Sequence, residues 1–145
     1  MSQVNFKLSF HASGADYKPS KLSFTFASQH DVGDQAKRGR YKGKAYPYGS
    51  SEIRVPDKLP REEKIQVLIA SVAPLLHQMK AKGADSFYVS AGYFYDTQCN
   101  LEFSPKELAL LASLECPFCL SCYDGYKDEL GERVEADQEG SRSDK

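Results

Sequence analysis

Between residues 61 and 82 the apolar residues Ile65, Leu68, Ile69, Val72, Leu75, Leu76 and Met79 recur at intervals of three and four. That spacing gathers them on one stripe of an α-helix. A stripe of this length needs a second layer to bury it, and the rest of the chain supplies one with a period of two rather than 3.6. Val4, Phe6, Leu8 and Phe10 alternate with polar residues, as do Leu22, Phe24 and Phe26. Both segments read as strands with one buried face, and the turn-forming "SGADYKPS" between them suggests a hairpin-like pair. "SEIRV" gives one more short strand. In "SFYVSAGYFYD", Phe87, Val89, Ala91, Tyr93 and Tyr95 fall on one face and Tyr88 and Phe94 on the other, with "CNLEFS" answering as a second short strand. The expected class is α+β: antiparallel β-sheet with a long kinked helix and a shorter C-terminal helix.

The helix boundaries follow from local chemistry. Pro60 suits a first helical turn, and Glu62 and Glu63 put negative charge at the helix N-terminus, where it is favourable. Pro74, inside the periodic run, removes one backbone donor and is expected to kink the helix. Lys80, Lys82 and Gly83 make a C-terminal end. Ser104-Pro105-Lys106-Glu107 reads as a capping box with proline at the first helical position, opening a helix through Leu108, Leu111, Ala112 and Leu114.

Apolar content of 41% and charged content of 27% describe a folded body rather than a disordered one. A single domain over 1–124 is expected, followed by an acidic, partly disordered tail over 125–145. The net charge of −1 is unevenly spread: residues 1–60 carry ten Lys/Arg against five Asp/Glu, whereas residues 124–145 carry four against eight. The N-terminus reads as a strand and not as an export signal, and no stretch approaches the length of a membrane span. The expectation is a cytoplasmic protein without a membrane association, whose four cysteines stay reduced.

Cys116, Cys119 and Cys122 form a Cys-x-x-Cys-x-x-Cys run in "ECPFCLSCYDGY". With Cys99 they could make a Cys₄ zinc site, although such sites ordinarily draw on two paired knuckles. A redox Cys-x-x-Cys follows a strand and opens a helix, and here the helix comes first. The run is instead expected to be a returning core strand, with Cys116, Phe118, Leu120 and Cys122 facing one way and Cys119, Ser121 and Tyr123 the other. No metal or other cofactor is expected.

No catalytic motif is present. Gly33, Gly39 and Gly43 match no phosphate-binding fingerprint, and His11, His30 and His77 lie far apart. An enzyme is therefore not expected. Two surfaces remain for binding. "AKRGRYKGKAYPY" interleaves Lys37, Arg38, Arg40, Lys42 and Lys44 with Tyr41, Tyr46 and Tyr48, a composition that holds phosphates and stacks bases, or else is a solvated basic loop. "GYFYD" and "YDGYKDELGE" place tyrosines beside carboxylates, which suits a protein partner or else leaves the tyrosines in the core. The partner-binding candidates are Tyr93, Tyr95, Asp96, Asp124, Asp128, Glu129 and Glu132.

The order of "VNFKLSFHA", the glycine-rich and basic "DVGDQAKRGRYKGK" and the closing "FSPKELALLASLECPFCLSCYD" resembles domain-of-unknown-function family 4279, over roughly residues 4–124. Proteins of this size and kind are also similar to bacterial immunity proteins of the contact-dependent growth inhibition type. That resemblance implies a non-enzymatic inhibitor binding a cognate protein toxin, a nuclease whose basic cleft it would occlude. The alternative is a single-stranded nucleic-acid-binding protein using the basic aromatic loop 37–48, with Arg38, Arg40, Tyr41 and Lys44 as its contacts.

Overall fold

The computed structural model describes residues 5–124. Val4 and the segment 125–145, with Asp128, Glu129 and Glu132, lie outside the described residues. The elements in chain order are β1 (Asn5–Gly14), a 3₁₀ turn (Pro19–Lys21), β2 (Ser28–His30), β3 (Gly49–Arg54), α1 (Arg61–Ala81), β4 (Ser86–Tyr95), α2 (Pro105–Ala112) and β5 (Phe118–Asp124). The strands form one sheet in the order β2-β3-β1-β4-β5. The class is α+β.

The sheet is mixed rather than purely antiparallel. β1 pairs antiparallel with β3 and β4, but β5 runs parallel to β4. The cause is α2: a helix between two neighbouring strands carries the chain back to the end from which the first strand started. The expected hairpin is also replaced. Both edges of β1 are taken, by Gly49–Arg54 and by Ser86–Phe94, so Leu22–Phe26 has no strand to pair with. That segment is irregular; Leu22 and Phe26 enter the core while Phe24 stays exposed. "CNLEFS" is likewise irregular, because β4 already has β5 on its free side.

The core lies between one face of the sheet and the helices. Phe6, Leu8, Phe10 and Ala12 of β1 and Val89, Ala91 and Tyr93 of β4 meet Ile65, Leu68, Val72, Leu75 and Met79 of α1 and Leu111 of α2. The alternation in the strands and the stripe in the helix are thus two sides of one contact. Burying such side chains contributes roughly 1.5–3 kcal/mol each. The helix continues through Pro74.

Lys64 is the one buried cation among the described residues, and its ammonium donates to the Phe6 carbonyl. Burial holds its pKa below the ordinary lysine value, against the attraction of Asp57. α1 ends where expected: Ala84 N–H donates to the Met79 carbonyl and Gly83 N–H to that of Lys80, a Schellman closure with Gly83 at φ 107°. α2 opens on the full capping box, with Ser104 Oγ accepting from Glu107 N–H and Glu107 Oε1 accepting from Ser104 N–H. No described helix is long and apolar enough to cross a membrane.

Candidate binding face

Period-two alternation gives every strand a second face, and no described helix covers it. Across this face the register aligns short rows. Arg54, Ser9, Ser90 and Cys119 form one; Glu52, His11 and Tyr88 a second; Lys7, Gly92 and Ser121 a third. Phe94 and Tyr123 are neighbours in a fourth, and their rings stack with centroids 4.8 Å apart. His11 stacks on Tyr88 at 4.5 Å, with the rings 9° from parallel. Lys7, Arg54, Asp57, Phe94 and Tyr123 rim a groove of about 360 Å³. Gly92 also lines it, and a Cβ there would sit 3.5 Å from Phe94 and 3.6 Å from Tyr123, in ordinary van der Waals contact.

Charge on this face is mixed and locally paired. Arg54 donates to both carboxylate oxygens of Glu52, at 2.9 and 3.2 Å, and Ser28 Oγ donates to the same carboxylate. Burial, the largest single influence, would raise the Glu52 pKa; the bonds and charge of Arg54, with His11 and the Ser28 bond, together hold the carboxyl below its usual value. Burial lowers the His11 pKa, with Glu52 acting in the opposite direction. Lys7 reaches Asp57 at 3.6 Å in a solvent-exposed pair that contributes little to stability.

The basic loop stands at the β2 edge of the same face. It is an irregular hairpin: Ala36 N–H donates to the Lys44 carbonyl, Gly43 N–H to that of Ala36, and Tyr46 N–H to that of Asp34. Glycines supply the positive φ its tip requires, at 82° for both Gly39 and Gly43. Ala36 is buried and Tyr46 stacks on His30 at 3.4 Å, while Tyr41 and Tyr48 meet Tyr46 edge-on at 6.0 Å. Lys37, Arg38, Arg40, Lys42 and Lys44 are exposed around this aromatic cluster. A cavity of about 510 Å³ lies between the loop and the sheet, lined by His30, Gln35, Lys37, Arg38, Tyr46 and Ser50.

The residues singled out from the sequence do not come together in one place. Tyr93 faces the helices, is 6% exposed, and donates its hydroxyl to the Asn100 carbonyl at 3.0 Å. Tyr95 is half-buried on that side, Asp96 is exposed beyond the strand end, and Asp124 closes β5. Instead it is Tyr88, Phe94 and Tyr123 that are presented on the uncovered face. Parity could have found them, since residues out of phase with a core-facing set point away from it.

The cysteine run is a strand, as expected, but not a core strand. β5 is an edge, and only Phe118 at its start packs beneath the helical layer, against Phe103. Leu120 is 41% exposed and Tyr123 48%. Cys122 lies on the Tyr93 side and Cys119 on the Ser90 side, so the run diverges. Among the described residues no three His, Cys, Asp or Glu side chains converge on a site able to hold a metal ion. No protein-family model, curated protein or solved structure matches the chain.

Proposed function

We propose that the protein is a non-enzymatic immunity protein that binds and neutralises a cognate bacterial toxin, a nuclease, by occluding its basic cleft. The observation that supports this reading is the uncovered sheet face with its stacked pairs Phe94–Tyr123 and His11–Tyr88. Rigid aromatic area within a polar rim is the composition of a protein contact. Glu52 and Asp57 line its groove with carboxylates, held to Arg54 and Lys7, for which a cationic cleft would compete. The resemblance to small immunity proteins supplies the toxin and its class. The test is calorimetric titration of the full chain against the toxin domain encoded beside it, paired with growth rescue on co-expression. A stable complex with restored growth supports the proposal; no complex and no rescue overturns it.

A second reading, single-stranded nucleic-acid binding, draws on a different observation: five exposed cations around the His30–Tyr46 stack. It requires affinity for a mixed single-stranded oligonucleotide that falls steeply with salt and is lost on joint replacement of Arg38, Arg40, Tyr41 and Lys44 by alanine.

A further inference from the structure

Two of the four cysteines, remote in sequence, are brought together at the β5 end of the sheet. Cys122 is the cross-strand neighbour of Tyr93. The Tyr93 hydroxyl donates to the carbonyl of Asn100, the residue after Cys99. The Cys99 and Cys122 thiols thereby lie on the same side of the sheet, near enough to act on each other. Both residues are exposed and both thiols are free. Cys119 faces the other side of the strand, and Cys116 precedes it.

We propose that Cys99 and Cys122 are an oxidation site at which a hydroperoxide converts the thiol pair to a disulfide that ties the 96–104 segment to the edge strand. One thiolate attacks a peroxide oxygen; the O–O bond breaks, a sulfenic acid forms, and the hydroxide released takes a proton to leave as water. The second thiol then attacks the sulfenic sulfur, the S–O bond breaks, and a second water leaves. With hydrogen peroxide, the two thiols lose two electrons and two protons in all, and the oxidant is reduced to two waters. Exposure gives the peroxide access, and the shared neighbourhood of Tyr93 and Asn100 brings the resolving thiol toward the first. The neighbouring Cys122 thiol also raises the Cys99 pKa, so oxidation should accelerate as the pH rises above neutrality.

The bridge would act on the binding face without touching it. Cys122 and Tyr123 are consecutive, so fixing the first against Cys99 restrains the strand that holds the second against Phe94.

The test uses the reduced full-length chain, exposed to hydrogen peroxide and mapped by non-reducing peptide mass spectrometry. The expected product lacks two hydrogens and links the peptide carrying Cys99 to the peptide carrying Cys122. Cleavage after Lys106 separates the two. C99S and C122S should each abolish the link, whereas C116S and C119S should retain it; circular dichroism on each variant verifies that it folds. A link that survives C122S, a Cys116–Cys119 bridge formed in its place, or stepwise addition of oxygen without any bridge would each overturn the proposal.

Discussion

Arg61 and Glu107 join the first turns of the two helices: Arg61 Nη1 donates to Glu107 Oε2 at 2.7 Å, and each side chain is only 17% exposed. The other carboxylate oxygen of Glu107 closes the capping box of α2, so one residue both starts its own helix and holds a second one. The guanidinium also donates to the Glu102 carbonyl and lies over the edge-to-face Phe6 and Phe103 rings, at 4.7 and 4.9 Å from their centroids. Arg61→Ala should therefore destabilise the fold by about 2–3 kcal/mol in chemical denaturation. Arg61→Lys should recover only part of this, because an ammonium lacks the planar fork that makes all these contacts at once. Full recovery by lysine would reduce the site to a simple charge pair.

Gly83 terminates α1 at φ 107°, and a Cβ there would lie 2.5 Å from the Asp16 carbonyl oxygen and 2.9 Å from the Tyr17 Cα. Both obstacles are backbone and cannot swing aside. Gly83→Ala is expected to cost more than about 1 kcal/mol. An unchanged denaturation midpoint would show that the loop after β1 yields easily.

Gly92 tests the binding face from the opposite direction. Its added Cβ meets only ring edges at contact distance, so Gly92→Ala should fold with nearly unchanged stability. Gly92→Leu should fill the groove beside the Phe94–Tyr123 stack and weaken partner binding more than alanine does. Separately, Phe94→Ala and Tyr123→Ala should each weaken the proposed toxin complex by about 2 kcal/mol, or roughly thirtyfold. Normal binding by a folded F94A/Y123A double variant would move the interface away from this face.

The two helices were legible because their signals are local: the apolar stripe from Ile65 to Met79 and the Ser104–Glu107 capping box act within a few residues. Strand existence was legible for the same reason at β1, β3 and β4. Strand pairing was not, since it depends on which segments win the two edges of β1, a competition that Leu22–Phe26 loses without any change in its own pattern. The sheet was expected to be antiparallel, although the parallel direction of β5 was implied by the helix before it. Its exposure was not, because it depends on how far the helical layer reaches. Tyr93 illustrates the limit for the site: its composition suits an interface and its parity assigns it to the core, and parity prevails because burial of an alternating face is what organises the sheet.

The histidines set a stability profile that falls on mild acidification. Burial is the main cause that lowers the pKa of both His11 and His30, although nearby carboxylates oppose it at each. The unfolded chain, with imidazoles at 6.5, then binds protons more readily than the folded one. Stability is therefore fully present above that value and declines as the pH falls through 6.5 toward the folded values. Glu107, lowered chiefly by its Arg61 bond, and Glu52 act further down: their contributions are complete above the unfolded value of 4.5 and are lost as the pH falls through the folded ones. Urea midpoints should thus drop between about pH 7.5 and about pH 5.5, and drop again in stronger acid. His11→Gln combined with His30→Gln should flatten the first decline and leave the second. A first decline that persists in the double variant would assign it to other groups.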